Sequence, residues 1–491
     1  MKVFQPVPYV FTTASVWILV LFGLVACNDF LDDLSPGNAL PLSSGLDNAE
    51  AIEDFLVGAY DVLQNHADIL MIGLVDIMTE DTGKGVQCGE GSGVGEFCVN
   101  DIAPGNDWLQ WIGPYTVINH ANIIIGRVNQ LLTQGSIDPG TAAIFLGEAH
   151  FLRGVEYFEL IRLYALPLHT GDTLGVPLLT TGVDNTDKLT FPARATVEDV
   201  YAQIRSDFRA AMELLPRTQG ETGRASYYAA AGYLAEVAFQ TGDYAQADSL
   251  ATIIVSSGKY TLTPTPADYF GMKGSQEEIW AVAHSNQERG QLWNFTQSGF
   301  TWRYNLSIDL YTRAYGKIIT SAQSASLASQ SLHAEDLRFS TLTDRDTTNL
   351  GCTKYPDRGT DVPALRYAEV LLMRAECRAR LGDTATAIEH LNQVRKRAIS
   401  LTDDAGNPLS LEDEDNPVLF KAEDFTSPDS LIEAIILERQ VELIMEGNRF
   451  HDLIRLERPV NGLPYDHCKL RWPIPLTEMD VNPNLVQNPD C

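Results

Sequence analysis

From residue 47 onward, apolar side chains recur at helical spacing. In DNAEAIEDFLVGAYDVL, Ala51, Phe55, Ala59 and Val62 stand at steps of four and three, which puts them on one face and predicts a helix. A second is predicted over WIGPYTVINHANIIIGRVNQLL, residues 111–132. The segment TAAIFLGEAHFLRGVEYFELIRLYAL, residues 141–166, is apolar around most of its circumference, so it is predicted to lie buried between other helices and to end at Pro167. Its charges, Arg153, Glu156, Glu159 and Arg162, form one stripe at steps of three and are expected to pair along it.

Two later stretches share one pattern. Residues 227–260 and 367–398 each read as helix, Gly-Asp turn and helix, with the turn at Gly242 or Gly382. Ala235 and Ala247, like Ala375 and Ala387, flank the turn at positions where two antiparallel helices need small side chains to cross closely. These are tetratricopeptide-like helix pairs. Their separation in the chain predicts no regular solenoid. Between them, over 261–363, helical periodicity fades and Trp, Tyr, Ser, Thr and Gly become frequent. A second irregular region spans 83–111, and an acidic one spans 402–428 that reads as a solvated insertion.

Composition narrows the function classes. Of 491 residues, 45% are hydrophobic and 20% charged, as expected of a folded globular chain. The formal net charge of −30 repels phosphate backbones, so nucleic acid is not an expected partner. Near the start, Val16 to Ala26 carries no charge and follows a single lysine, Lys2; eleven residues fall short of a membrane-crossing helix. That run closes on Leu24-Val25-Ala26-Cys27 and resembles a bacterial lipoprotein signal, in which the cysteine is acylated and becomes the new N-terminus. Residues 1–26 are therefore expected to be cleaved, which removes only Lys2 and leaves −31, with Cys27 as the lipid anchor. Residues 27–45, acidic and containing Pro36, Gly37 and Pro41, read as an extended tether ahead of a body over 46–491.

Candidate chemistry is sparse. GxSxG, HExxH, GxxxxGK[ST] and GxGxxG are absent, no CxxC occurs, and the nine histidines show no ligand spacing. No enzyme activity, cofactor or metal site is assigned; calcium is compatible with so acidic a chain, but no DxDxDG loop places it. The six cysteines besides Cys27 allow fifteen connectivities. Cys88 and Cys98 bracket a glycine-rich loop and suit a local bridge, Cys468 and Cys491 can tie down the tail, and Cys377 reads as a buried apolar residue. The densest motif is LERQVELIMEGNRFHDLIRLER, 437–458. Glu438, Glu442 and Glu446 share a helix face, Gly447 fits a helix end, and Arg439, Arg449, Asp452 and Arg455 supply partners, so the cluster reads as ion pairing across a helix junction rather than an acid site.

That motif, the closing RWPIPLTEMDVNPNLVQNPDC, the leader CNDFLDDL, and the helices WLQWIGPYTVINHANIII and EAHFLRGVEYFELIRLYALPLH together resemble the SusD/RagB family of Bacteroidetes lipoproteins over nearly the whole mature chain. The resemblance implies a mainly α body with tetratricopeptide-like helix pairs and a loop-rich ligand face. It divides that body into N-terminal helices (46–260), an aromatic loop segment (261–363) and C-terminal helices with the signature (364–491). It further implies a location on the outer membrane and capture of oligosaccharides, or in some members peptides, for a SusC-like TonB-dependent transporter. Sugars stack their C–H faces on aromatic rings and bond through hydroxyls, so Trp108 beside Asn106, and Trp293, Trp302 and Tyr304, are the candidate ligand contacts. Glu80 and Asp81 match the place where the family often contributes an acidic contact. Trp111, Trp280 and Trp472 read as core. The rival classes are a surface glycoside hydrolase, needing a carboxylate pair in a cleft, and a tetratricopeptide adaptor that binds only protein.

Overall fold

Caps begin most of the long helices. The computed structural model describes residues 45–82, 88, 93–171, 173–218, 222–285, 287, 290, 292–293, 305–307, 310–345, 350–411 and 416–489. By contacts the chain divides into residues 1–47 and 48–491, and every element below belongs to the second unit. Helix α1 (Ala49–Ala67) starts where the Asn48 side chain accepts from the Ala51 amide at 3.0 Å. Helices α2 (Ile112–Gln134), α3 (Pro139–Tyr164, capped by Asp138), α4 (Val197–Leu214, capped by Thr196), α5 (Tyr227–Gln240, capped by Ser226) and α6 (Tyr244–Ser256, capped by Asp243) follow. After an excursion come α7 (Tyr367–Arg380), α8 (Thr384–Ala398, capped by Asp383), α9 (Pro428–Glu442, capped by Ser427) and α10 (Asn448–Arg455).

The expected helices are present, but two details of their faces differ. On α1 the buried stripe is Ile52, Leu56, Ala59 and Leu63, with Ala51, Phe55 and Val62 only half-buried; both sets have helical spacing, and the bulkier aliphatic set takes the core. On α3, buried along most of its length as expected, the charged stripe does not pair only with itself. Glu159 pairs with Arg162, but Arg153 turns to Asp207 on α4 at 2.6 Å, and Glu156 accepts from His66 of α1 at 3.0 Å. A buried charge takes the partner that its neighbouring helix offers.

Both helix–turn–helix pairs form as expected. Gly242 and Gly382 adopt φ of +80° and +87°, and each following aspartate caps the next helix. Ala235, Ala247, Ala375 and Ala387 are fully buried where the helices cross. Asp383→Ala is expected to lower stability by about 1 kcal/mol, read as a reduced thermal midpoint, because the Thr386 amide loses its acceptor.

Although separated in the chain, the two pairs meet in space. Each of α1 to α8 packs against its successor, and α6 packs directly on α7, so the helices form one serial stack that ignores the intervening excursion. A clasp allows this. Strand β1 (Glu278–Val282) pairs antiparallel with β6 (Val362–Arg366), closing the base of the excursion, with Glu278 opposite Arg366 and Val282 opposite Val362. Within it, β2 (Asn305–Leu306), β4 (Thr343–Arg345) and β5 (Leu350–Cys352) make a sheet in the order β2-β5-β4. Strand β3 (Leu332–Asp336) pairs with β7 (Ile399–Asp403) beyond α8. The acidic region 402–428 is not wholly a solvated insertion: Val418, Leu419 and Phe420 are buried, and the Val418 carbonyl accepts from Arg395 at 2.8 Å.

Candidate functional site

The C-terminal signature folds into the core. Glu438 and Glu442 end α9, and Arg395 and Arg397 end α8; Arg338 and Lys354 follow β3 and β5, Arg366 closes β6, and Glu277 precedes β1. Arg366 pairs with Glu277 and Glu442 at 2.7 Å and Glu446 at 2.6 Å, Arg338 with Asp336, Glu438 and Glu442, Arg397 with Glu277 and Glu442, Arg395 with Glu438, and Lys354 with Glu446. These five bases and five acids form one connected network with little solvent access, joining the last stack helices to the strands of the excursion. Burial, the largest influence on Glu442, would raise its carboxyl, yet Arg397, Arg366 and Arg338 together hold it far below the usual range. A second knot joins Arg439 to Asp452 at 3.2 Å and Arg455 to Asp452 and Glu376 at 2.7 Å. Carboxylates this fully paired are poorly placed to act on a substrate.

Gly447, between α9 and α10, has φ +79°, and its amide donates to the buried Asp76 carboxylate at 2.9 Å. Burial raises Asp76 to about 7 against the opposing pull of that amide. Arg449, just beyond, donates to Glu80 at 2.7 Å.

Glu80 and Asp81 part company. Asp81 was expected to contact ligand, and its position contradicts that: it is 1% exposed, both its oxygens accept from Gln440 at 2.8 Å, and Arg313 donates to it at 3.1 Å. It anchors three segments instead. Burial pushes its carboxyl up, opposed first by Arg449. Glu80 stays half-buried, held through one oxygen by Arg449, while Arg313 also donates to its carbonyl. Its second carboxylate oxygen has no hydrogen-bond partner among the described residues. Directly after this pair, Thr82 bridges Leu306, and the Ser307 amide donates to the Asp81 carbonyl at 2.7 Å. That pairing sets the acidic turn beside the chain that leaves the aromatic stretch. Trp302 and Tyr304 of that stretch lie outside the described residues.

Trp108 is half-buried on the loop that leads to α2. The short helix Gly93–Cys98 carries it: Asn106 donates to the Gly93 carbonyl and to Glu96, both at 2.7 Å, while its oxygen accepts from the Trp108 amide at 2.9 Å. Asn106 thus spends its amide on shaping the loop. A Cβ at Gly93 would stand 2.9 Å from the indole, so the ring lies directly over that backbone. Cys88 is bonded to Cys98, which fixes the far end of the short helix. Cys468 is also disulfide-bonded, and Cys491 lies outside the described residues, as does Cys27. Cys377 and Cys352 are free and buried.

Trp293 is half-buried on helical backbone, with the Arg358 guanidinium 4.5 Å from its ring centroid. Trp111, Trp280 and Trp472 are buried, as expected. Sequence reasoning missed Arg313 and Arg358, because each meets its partner across a long stretch of chain and neither sits in a recognisable spacing. Among the described residues no group of three His, Cys, Asp or Glu is placed to hold a metal ion, and no helix is long and apolar enough to cross a membrane.

Comparison with known proteins agrees with this architecture. Residues 343–463 match the SusD family, and residues 29–239 match the family described as starch-binding associating with outer membrane. SusD-like protein P38 of Formosa agariphila is 24% identical over 79% of this chain and 81% of its own. SusD-like protein P25 of the same organism is 23% identical over 96% and 97%. Among solved structures, a SusD superfamily protein from Bacteroides thetaiotaomicron superposes with a TM-score of 0.72 at 23% identity, covering 90% of this chain and 100% of its own. A SusD-like carbohydrate binding protein from Bacteroides vulgatus gives 0.59 at 19%, covering 84% of each. At such identities the structures speak for the fold.

Proposed function

The chain belongs to the SusD family, and from that premise we propose that it is a binding protein of the outer membrane that captures oligosaccharide, with Glu80, Trp108 and the aromatic excursion as its candidate contacts. The observation that carries this reading is the bridge between Thr82 and Leu306: it holds the half-buried Glu80 beside the chain that leaves the aromatic stretch. Rings supply the stacking surface and the short polar groups the hydroxyl partners that sugar recognition requires. The matching family described as starch-binding associating with outer membrane supports the ligand class. Acylation at Cys27 would hold the body on the membrane, and a SusC-like TonB-dependent transporter is the partner to which captured glycan would pass.

Affinity electrophoresis against a panel of soluble polysaccharides tests the reading. The wild type is expected to be retarded by at least one neutral glycan, and Trp108→Ala and Trp302→Ala to bind about tenfold more weakly, the loss of roughly one stacked ring. Failure to retain any glycan, or unchanged binding by both folded variants, overturns it. New reducing ends after incubation would point to the rival hydrolase.

A further inference from the structure

Beside Trp293, the turn at residues 356–361 and the segment 269–273 enclose a cavity of about 180 Å³. The turn touches the chain that leads into the aromatic stretch, since the Gly290 amide donates to the Arg358 carbonyl at 2.9 Å. The cavity is lined by Tyr269 and Phe270 on one side and by Met272, Lys273, Glu278, Asp357, Thr360 and Asp361 around the rest. Three acids therefore face one base.

The acids are not equally satisfied. Asp361 has a side chain only 9% exposed; its Oδ1 accepts from Lys273 Nζ and from the His284 amide, both at 2.8 Å. Its Oδ2 has no hydrogen-bond partner among the described residues. Glu278, at the start of β1, is buried and accepts from the Thr222 side chain and the Gly274 amide; burial together with Asp361 nevertheless raises it to about 7. Asp357 turns one oxygen to the Gly359 amide at 2.8 Å and leaves the group exposed. Lys273 cannot balance three carboxylates, because it is spent on Asp361 Oδ1 and on the His284 carbonyl. The nearby cations Lys354 and Arg366 lie over the Phe270 ring, and both are already paired with Glu446 in the core network. A buried acceptor with no donor costs free energy that a ligand donor restores.

We propose that this cavity is a subsite for a protonated primary amine, seated between Asp361 Oδ2 and Glu278. An ammonium carries three donors and a full charge, matching one orphaned oxygen, one further carboxylate and the Thr360 hydroxyl. The absence, among the described residues, of a three-ligand metal group makes a bare divalent cation the poorer match. The volume suits one ring or one aminoalkyl chain, below the roughly 300 Å³ at which pockets hold drug-sized ligands. An amine arriving here would drive Glu278 to its ionised form and release its proton. The subsite extends the glycan-capture reading, which it borders but does not need.

The test follows the Met272 methyl resonance in methyl-labelled, full-length mature protein, since Met272 lines the cavity and is 55% exposed. Glucosamine, glucose, N-acetylglucosamine, lysine amide and calcium chloride are titrated separately at pH 7. Glucosamine or lysine amide is expected to shift Met272 saturably, with glucose and N-acetylglucosamine leaving it unmoved; which of the two amines binds more tightly separates an amino sugar from a peptide-borne amine. Calorimetry of the same binding in buffers of different ionisation enthalpy is expected to show proton release. Glu278→Gln is expected to weaken binding about tenfold or more and abolish the proton release. Because Asp361 also orients Lys273, Glu278→Gln is the primary variant and Asp361→Asn the second. No Met272 shift with either amine, an equal shift with glucose, tighter binding of calcium, or undiminished binding by folded Glu278→Gln overturns the proposal. Neutral glycan retention is read on the same preparations: retention without amine binding sinks this inference alone, and amine binding without retention sinks only the glycan reading.

Discussion

Glu442→Ala is expected to cost about 3–5 kcal/mol, because it strips a shared partner from Arg338, Arg366 and Arg397 while leaving all three inside the protein. Against a typical total of roughly 5–15 kcal/mol, that loss removes a large share of the stability. Urea denaturation monitored by circular dichroism reads it as a large fall in midpoint. Glu442→Gln separates charge from shape: it keeps hydrogen-bond acceptors but removes the negative charge, and is expected to fall between the wild type and the alanine variant. The dependence on pH has a fixed sign. The Glu442 carboxyl lies well below its ordinary value of 4.5 in the folded protein, so its contribution is complete above that value and disappears as pH falls through the depressed one. Wild-type stability should therefore decline steeply in acid, and Glu442→Gln should lose part of that slope. Equal urea midpoints for wild type and Glu442→Ala would show that the network contributes nothing net.

Gly447→Ala is expected to be as damaging by a different route. The backbone there sits at φ +79°, which alone costs an L-residue about 1–2 kcal/mol. The added Cβ would also fall 1.9 Å from the Met71 carbonyl oxygen, a backbone atom with no freedom to swing away. Relief requires the signature to move off the segment Asp68–Gly73, which breaks the bond from the Gly447 amide to Asp76 and strands that buried carboxyl. A loss above about 4 kcal/mol, seen as poor recovery of soluble protein and a collapsed thermal midpoint, is the expected result. Gly447→Ala that melts within a few degrees of wild type would mean that the contact relaxes easily.

The helices were readable because their apolar period and their caps are local. Asp138, Ser226, Asp243 and Asp383 each stand directly before the helix they begin. What stayed hidden was which surfaces meet. The stripe Arg153, Glu156, Glu159, Arg162 looks self-sufficient in the sequence, yet two of its members answer to Asp207 and His66, residues 54 and 90 positions away. The packing of α6 on α7 was hidden for the same reason, since the excursion between them carries no mark that its ends return to one place. At the candidate site, Glu80 and Asp81 are adjacent and chemically alike, so nothing local tells which is buried. Gln440 and Arg313 decide it, and both arrive from distant parts of the chain.

The strand clasp at the foot of the excursion has an evolutionary corollary. Because β1 and β6 hand the chain back to the stack at neighbouring positions, residues can be gained or lost between them at an entropic penalty that grows only logarithmically with length. Such change is confined to positions that make no contact outside the excursion, since Leu306 bridges Thr82, Arg313 holds Asp81, β3 pairs with β7, and Arg338 and Lys354 meet the acids of the helical frame. Length can therefore vary inside the excursion while the register of the helical frame is kept.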